Sequence, residues 1–440
     1  MALGGGTFIA QNKKLPGTYI NFVSASRANS LLAERGYAAM PLILDWGIEG
    51  KVFEVTNADF QKNSLKIFGY DYANDKMKGL RDLFLNAKTL YAYRLGTSTK
   101  ASCKYANAQY GGIRGNDLKI VVTALTDGSE TSGYNVKTLL GTVEVDSQDV
   151  TGVSATTSAL QDNDFVNWLD SVSLSAETVA FTSGANDTVT TEDYSEFLDK
   201  IEPYSFNTLG CADTTSAVKA LFATFTKRMR DEQGVKFQCV LHKYNEADYE
   251  GVISVENNLI GSSADDASLV YWVTGASAGC EVNKSNTNKV YNGEFDVNAD
   301  YTQAQLSDAI DAGKFVFHKV GADIRVLEDI NTLVNTTTEK NDDFKANQTI
   351  RVLDQIANDI ANIFNTRYLG IVPNDKSGRI SLWNDIVKHH QELQTIRAIE
   401  DFESDKITVE AGNTKKSVVV YDSVTPTNCM AQLYMTVQVN

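Results

Sequence analysis

Histidine is scarce among the residues that could do acid–base or metal chemistry, since the 440 residues include four. His242 and His318 lie at the ends of apolar runs that predict strands, where a hydrogen-bonded structural histidine is the favoured interpretation. His389 and His390 are neighbours on a predicted helix, so their side chains point about 100° apart. They cannot share a metal ion in the way that an i, i+4 pair can. We therefore predict no metal site here.

Two other kinds of segment resemble ligand-binding loops. Residues 4–6 and 111–115 are rich in glycine. Neither ends in the Gly-Lys-Ser/Thr of a phosphate loop, and neither opens a helix after a strand, so both predict flexible backbone. Residues 191–196 are acidic but lack the Asp-x-Asp-x-Asp-Gly spacing of a calcium loop, and they predict a helix N-terminus. We expect no catalytic residue and no cofactor.

The elements around these positions alternate between helices and apolar strands. Helical periodicity marks residues 78–84, 213–234 and 303–311, and residues 51–55 and 236–241 predict strands. This alternation predicts an α/β layer structure.

The pattern changes between residues 96 and 182. Strands are predicted at residues 115–123, 134–140 and 143–145, separated by turns of Gly, Asp and Ser. Short strands with such turns are typical of a small β-sandwich.

The C-terminal part begins with a polar segment at residues 336–347, which predicts a linker. Apolar residues then recur at spacings of three and four in residues 350–364 and 380–396, which predicts two amphipathic helices. Strands are predicted at residues 407–409 and 418–421, joined by a hairpin that the Gly-Asn pair of the connection indicates.

Both termini predict an extended strand-forming arm. Residues 18–23, which follow Pro16-Gly17, and residues 429–439 are rich in β-forming side chains. In the second segment, apolar residues alternate with Gln, Tyr and Thr, so they share one face of a half-buried strand. These apolar residues are Leu433, Met435, Val437 and Val439.

Charge and cysteine usage exclude several classes of protein. A formal net charge of -16 argues against binding nucleic acid, whose phosphates require clustered Lys and Arg. The acid-rich residues 126–200 predict either an acidic outer face of an assembly or an ordinary solvated surface. No apolar stretch is long enough for a membrane span, and residues 1–8 do not look like a signal peptide. Five scattered cysteines predict free thiols in a reducing cytoplasm, so we expect release by lysis.

Several ordered motifs resemble the contractile tail sheath proteins of bacteriophages and phage-tail-like bacteriocins. They are ADIRVLEDINTL at residues 322–333, NQTIRVLD at 347–354 and YLGIVPN at 368–374. WVTGASAGCEVN at residues 272–283 is similar to an upstream helix and loop of that family. PGTYINF at 16–22 and LYMTV at 433–437 resemble its two arms. The resemblance covers the whole chain and is strongest after Gly313.

The resemblance implies an α+β and α/β multidomain fold. A core domain would combine residues 26–96 with 336–428, and arms would occupy residues 1–25 and 429–440. A β-sandwich would be inserted at residues 97–182, and a subtilisin-like, non-catalytic α/β domain at residues 183–335.

The resemblance also implies the function and the partners. Six subunits would form a ring around an inner tail tube protein, and stacked rings would contract to drive the tube through a bacterial envelope. The other partners would be baseplate and tail terminator proteins. The expected inter-subunit strand residues are Tyr19, Ile20, Phe22, Val23, Val418, Val420, Leu433, Met435, Val437 and Val439.

Tube contact is expected on the C-terminal domain, and the helix bearing Lys345 and Arg351 is the candidate surface. The alternative is that these residues lie on an ordinary solvated face of that helix. Two other functions stay open. The α/β region could be a hydrolase, or the chain could be a tube or other passive tail protein, although tube subunits are usually much shorter and lack inserted domains.

Overall fold

The structure, a computed structural model, describes residues 31–152, 154–261 and 267–439. The helices of these residues are α1 (Asn57–Phe68), α2 (Lys78–Phe84), α3 (Thr191–Ile201), α4 (Ser216–Arg228), α5 (Leu269–Gly279), α6 (Gln303–Asp311), α7 (Asn347–Ile363) and α8 (Lys376–Thr395). Among them, none combines the length and the apolar character that crossing a bilayer requires.

The strands of the same residues follow in chain order. They are β1 (Tyr37–Leu42), β2 (Val52–Thr56), β3 (Thr89–Arg94), β4 (Ser98–Ser102), β5 (Ala106–Gly111), β6 (Leu118–Asp127), β7 (Glu130–Leu140), β8 (Val143–Thr151), β9 (Val166–Trp168), β10 (Glu177–Ala180), β11 (Ala185–Asn186), β12 (Thr208–Cys211), β13 (Gln238–His242), β14 (Val252–Val255), β15 (Phe317–Val320), β16 (Asp323–Val326), β17 (Ile399–Glu400), β18 (Thr408–Ala411), β19 (Val418–Tyr421) and β20 (Thr425–Pro426).

A six-stranded sheet in the order β14-β13-β12-β1-β3-β2 forms the largest layer. Neighbouring strands are parallel except β2 and β3, which are antiparallel. Successive side chains of a strand point to opposite faces, so each strand contributes side chains to two hydrophobic cores. Ala38 and Met40 pack with α1, α2 and α5, whereas Ala39 packs with α3 and α4. The result is the mixed α/β layer structure that the alternation of helices and strands predicted.

Residues 98–186 form two antiparallel four-stranded sheets. One has the order β10-β6-β7-β8 and the other β11-β4-β5-β9. Side chains of both sheets, such as Ala106 and Ile120, belong to one hydrophobic core. Trp46, from the loop after β1, reaches this core and is fully buried. The two-sheet unit is therefore packed onto the six-stranded layer.

The C-terminal part is built on α7 and α8. Ile363, Ile386 and Ile407 share a core between the two helices and the following chain. Two small antiparallel sheets follow, β17 with β20 and β18 with β19. The hairpin of β18 and β19 confirms the pairing that the Gly-Asn signal predicted.

The predicted grouping of residues 26–96 with 336–428 is wrong. Residues 37–94 supply β1, β2 and β3 to the same sheet as β12, β13 and β14, so they belong with the central α/β unit. Ala38 pairs with Thr208 in that sheet. Parallel pairing between distant segments leaves no local sequence signal, which is why the grouping could not be derived from patterns along the chain.

Candidate functional site

All four histidines are buried or half-buried. His389 and His390 are fully buried, and each makes a hydrogen bond to a carboxylate, His389 to Asp359 and His390 to Asp422. His318 lies half-buried in β15, where burial lowers its pKa. Within residues 31–439, as far as they are described, no group of three or more His, Cys, Asp or Glu side chains could hold a metal ion.

The cysteines are free thiols, as the sequence predicted. Cys239 is fully buried, and burial raises the pKa of its thiol to about 12. A thiol is a nucleophile only as the thiolate, so this side chain is inert at neutral pH.

A Gly-x-Ser-x-Gly pattern occurs at residues 275–279, and sequence reasoning missed it. In hydrolases this pattern forms a sharp strand-to-helix turn that exposes the serine. Here it lies inside α5, and Ser277 is buried. The glycines instead let α5 approach α2, because a Cβ on Gly275 would lie 2.2 Å from the carbonyl oxygen of Leu83. The pattern serves helix packing in this chain.

The glycine-rich segment 111–115 is a packed turn, so the prediction of flexible backbone is wrong. The amide of Gly112 donates to the carbonyl of Thr99 at 3.0 Å, and that of Ile113 donates to the side chain of Asn186 at 3.2 Å. These amides are not free to bind a phosphate. Residues 4–6 lie outside the described residues.

The acidic segment 191–196 opens α3, as predicted. Thr190 caps the helix, and the carboxylate of Asp193 accepts from the amide of Thr190 at 2.6 Å. This capping box satisfies backbone donors that a helix start leaves open.

The candidate for tube contact needs correction at Arg351. Its side chain is 1% exposed, and its guanidinium donates to the carbonyl of Lys284 at 2.7 Å and to Asp329 at 3.1 Å. A side chain held in this way cannot touch another protein. Lys345 is not on α7 either, because it lies in the turn Asp342–Lys345 and pairs with Asp342 at 2.8 Å. Helical periodicity located α7 but could not tell which polar positions face another part of the chain.

The β18–β19 hairpin is a two-stranded sheet on the surface of the C-terminal part. Val418 packs against the core of α8, while Val419, Val420 and Tyr421 are exposed. An open groove of about 520 Å³ runs between α8 and β18, with Trp383 in its wall. The hairpin therefore offers both apolar side chains and unpaired strand edges.

The C-terminal arm leaves the body after Cys429. The Cys429 amide donates to the Gln348 side chain at 3.0 Å, and Asn428 bonds to Thr349 at 3.1 Å. Beyond this point the apolar residues of the predicted strand face solvent, with exposures of 85% (Leu433), 75% (Met435), 69% (Val437) and 92% (Val439).

No strand forms over residues 427–439. The predicted half-buried strand is absent from the isolated chain, where these residues stay exposed.

The N-terminal segment is anchored to α7 and α8. The amide of Leu31 donates to Glu392 of α8 at 3.0 Å, and the amide of Ala33 donates to Asp359 of α7 at 3.2 Å. Both ends of the described chain are thus attached to the C-terminal helices. The predicted arm residues Tyr19, Ile20, Phe22 and Val23 lie outside the described residues.

Sequence reasoning also missed the contacts of the histidine pair. His389 binds Asp359 of α7, and His390 binds Asp422 after β19, each at 2.9 Å. The i, i+4 spacing of Gln355 and Asp359 could have signalled polar partners on the inner face of α7. No local pattern connects His390 with Asp422.

Three family models match this chain. They are the phage tail sheath protein central domain over residues 187–332, the phage tail sheath C-terminal domain over residues 339–440, and the domain III N-terminal region of tail sheath protein Gp18 over residues 35–95. The last model also starts and ends close to the segment that supplies β1, β2 and β3.

Two individual proteins are also similar to this chain over most or all of its length. The phage-like element PBSX protein XkdK of Bacillus subtilis (strain 168) is 30% identical over 477 residues, covering 100% of both chains. The crystal structure of a sheath tail protein from Desulfitobacterium hafniense is 34% identical with a TM-score of 0.81, covering 94% of this chain and 97% of that one.

A more distant likeness concerns the fold alone. The helical sheath of the anti-feeding prophage in its contracted state, a cryo-EM structure, has a TM-score of 0.57 at 12% identity and covers 97% of this chain and 100% of that one. Together with the family models and the relatives, the motifs at residues 322–333, 347–354 and 368–374 lead to one conclusion: this chain belongs to the family of contractile phage tail sheath proteins.

Proposed function

We propose that this chain polymerises with copies of itself around an inner tail tube and contracts to drive the tube through a bacterial envelope. Its family membership supports a structural role in a tail sheath. The observation that carries the finer proposal is the exposed apolar face of residues 433–439. A second subunit is the partner that would bury this face, because a strand-forming segment binds by adding to a sheet edge.

The energetics favour such an exchange of strands. Backbone hydrogen bonds of an added strand contribute about 0.5–1.5 kcal/mol each, and ordering each residue costs about 1–2 kcal/mol, so these effects nearly cancel. The sign of the net free energy of association is therefore set by the burial of the four apolar side chains, each of which contributes about 1.5–3 kcal/mol when buried. These side chains are Leu433, Met435, Val437 and Val439. The arm therefore associates with a partner without folding onto its own subunit.

The β18–β19 hairpin is the proposed receiver of an arm. Its strands pair with each other, from Thr408–Tyr421 to Ala411–Val418, so each keeps one free edge in the isolated subunit. Exposed Val419 and Val420 would pack on the incoming strand, and the predicted inter-subunit role of Val418 and Val420 is kept in this proposal.

Six subunits would form each ring, and rings would stack helically. The anti-feeding prophage structure, which has a similar fold, is described as a helical sheath in a contracted state, and we propose the same kind of geometry for this chain. We propose that the energy for contraction is stored in a metastable extended lattice during assembly. Contraction that required added ATP would contradict this mechanism.

The remaining parts of the proposal concern domains, partners and location. The two-sheet unit would be the β-sandwich insertion, and the six-stranded unit a subtilisin-like domain without catalytic activity. Lys345 stays the candidate for tube contact, and baseplate and tail terminator proteins would bind the ends of the sheath. The chain would be made in the bacterial cytoplasm and released by lysis with its phage tail or bacteriocin particle.

Electron microscopy of purified protein with altered arms tests the proposal. Replacing the four apolar residues of the arm by serine removes the burial term, and we expect no striated cylinders in negative stain. The matched control replaces the four residues of the opposite alternation face by serine and should still assemble. The two sets are Leu433, Met435, Val437 and Val439, and Gln432, Tyr434, Thr436 and Gln438.

Both variants alter four neighbouring side chains of one exposed segment, so they differ mainly in apolar character. Equal loss of cylinders in both would contradict a role for the apolar face. Normal cylinders from the first variant would contradict the proposal itself.

A further inference from the structure

The loop at residues 368–374 holds two apolar side chains in solvent on a fixed backbone. The amide of Ile371 donates to the carbonyl of Tyr368 at 3.0 Å, and the hydroxyl of Tyr368 donates to Asp385 of α8 at 2.9 Å. Leu369 and Ile371 are nevertheless 61% and 67% exposed. Because the loop is already ordered, a partner that covers it would lose little affinity to conformational entropy.

The loop lies against the turn of the β18–β19 hairpin. The side chain of Asn374 donates to the carbonyls of Lys415 and Ser417 at 3.2 and 2.8 Å. Arg379 of α8 lines a recess of about 100 Å³ between the loop and the hairpin, and it also lines the open groove between α8 and β18. The loop, the hairpin turn and the first turns of α8 thus form one continuous surface.

This surface carries a surplus of positive charge, and we call it the basic face. Asp375 and Glu410 are its carboxylates, and Asp375 is engaged in capping α8, where it accepts from the amide of Gly378 at 2.7 Å. The lysines of the face are exposed and pair with no carboxylate of the described residues. The apolar members are Leu369, Ile371 and Ile380, and the cations are Lys376, Arg379, Lys415 and Lys416.

An acidic segment follows the other end of α8. Residues 399–405 include four carboxylates, which are all exposed and pair with no cation of the described part of the chain. Arg397 and Lys406 flank the segment, so its charge stays negative. The ring of Phe402 lies 5.1 Å from the ring of His390, and this contact fixes the segment against the second half of α8.

The length of α8 separates the two charged surfaces. Lys376 precedes His390 by fourteen residues, which places them about 21 Å apart along the helix axis. Exposed charges are screened beyond about 8–10 Å in physiological salt. The basic face and the carboxylates beside Phe402 therefore act as two separate surfaces of one subunit.

We propose that the basic face of one subunit docks on the acidic segment of a second copy. Charge complementarity selects this pairing, since two basic faces or two acidic segments would repel each other. The exposed apolar side chains would form the centre of the contact and the cations its rim. Different surfaces meet in this contact, so each docked copy leaves a surface free for the next one, as a ring or a helix of subunits requires.

Two observations make a second copy the occupant. The chain has a formal net charge of -16, so its copies present acidic surface to a face of the opposite sign. The basic face also ends in the turn of the β18–β19 hairpin, where we propose that the arm of a second copy binds. The inference therefore rests on the proposed function, and it adds a contact in which the arms take no part.

Charge reversal in the full-length protein tests this pairing. Lys415→Glu with Lys416→Glu makes the basic face acidic, and Glu400→Lys with Glu403→Lys makes the acidic segment basic. All four side chains are exposed, so both variants should fold. In each variant the two surfaces carry the same sign, and we expect the number of cylinders in negative stain to fall by about tenfold or more.

An equimolar mixture of the two variants should form cylinders again, because each reversed surface then meets a partner of opposite sign. The chain that carries all four substitutions should also assemble alone. Neither rescue is expected if the substitutions merely unfold the protein. The control Lys62→Glu with Lys119→Glu, at exposed lysines of α1 and β6, changes the net charge equally and should assemble like the wild type.

Normal cylinders from either charge variant alone would overturn this contact and leave the proposed function standing. Failure of both the mixture and the fourfold variant would also overturn it, and would indicate that the basic face binds another acidic partner, such as the inner tube protein. Equal loss in the control would refute a specific pairing. A wild type that never polymerised would overturn the proposed function together with this contact.

Discussion

A buried ion pair joins the central α/β unit to the C-terminal helices. Arg230, in the π-helical turn Met229–Gln233 after α4, makes two hydrogen bonds of 2.6 and 2.8 Å to Asp354 of α7. Both side chains are almost fully buried. The desolvation of such a pair cancels much of its attraction, but removing one partner leaves a buried charge without compensation. We therefore expect the pair to fix how these units dock more than to add to stability.

Neutralising one side of this pair should be costly. We expect Asp354→Asn to lower the free energy of unfolding by about 3–5 kcal/mol, measured by urea denaturation of the monomer. The double variant Arg230→Met, Asp354→Leu should cost less because no charge stays buried. Asp164→Asn, which breaks the exposed pair with Lys66, is the control and should cost about 0–1 kcal/mol. Equal losses at Asp354 and Asp164 would contradict the argument.

Asp82 of α2 makes stability depend on pH. Burial raises the pKa of its carboxyl to about 6, although the hydroxyl of Tyr291 and the amide of Glu294 stabilise the charged form. The folded chain therefore holds a proton up to about pH 6, whereas the unfolded chain releases it near pH 3.8. The free energy of unfolding falls as the pH rises through this window, by about 3 kcal/mol from this group.

Urea denaturation at pH 4 and pH 7 isolates this contribution. The stability difference between wild type and Asp82→Asn should shift by about 2.4 kcal/mol against the wild type between these two pH values. Tyr291→Phe, which removes one donor to the charged form, should extend the window to higher pH. Identical pH profiles for wild type and Asp82→Asn would show that Asp82 does not titrate in this way.

Among the helices, α5 packs closely on α2 because two positions of α5 are glycine. Cβ atoms added to Gly275 and Gly279 would lie 2.2 and 2.0 Å from backbone oxygens of Leu83 and Asn86. These helices can approach only because both positions lack a side chain.

Alanine at Gly275 should therefore destabilise the fold although alanine favours helices. We expect a loss of about 1–3 kcal/mol in thermal or urea unfolding, since the helices must separate. Ser307→Ala, on the exposed face of α6, should change stability by less than about 0.5 kcal/mol. A neutral or stabilising effect at Gly275 would mean that α5 can shift at no cost.

Helices were the elements that the sequence predicted best. The predicted bounds of α2 and α6 agree with the structure because periodicity and capping are local, as in the capping box of Thr302 and Gln305. The partners of β1 could not be predicted, because Thr208 and Thr89 are distant in the sequence. The buried role of Arg351 was missed for the same reason, since Asp329 belongs to another segment.

At the scale of the whole molecule, the subunit is a folded body with a C-terminal segment that its own surface does not cover. Period-two alternation predicted the apolar face of residues 433–439, and the structure shows that this face is exposed. The sequence could not reveal that Leu31, Ala33 and Cys429 are anchored to the C-terminal helices, because these contacts are long-range. In the sheath that we propose, this arrangement would let neighbouring subunits stay connected while their bodies rotate.

Deleting residues 429–440 tests the central claim most directly. Residues 430–439 are exposed, and the amide of Cys429 supplies the last hydrogen bond to α7, so the truncated chain should keep the wild-type thermal unfolding transition and elute as a monomer. Negative-stain electron microscopy under conditions in which the full chain forms striated cylinders should show none. Normal sheaths assembled from the truncated protein would contradict the claim that the arm joins the subunits.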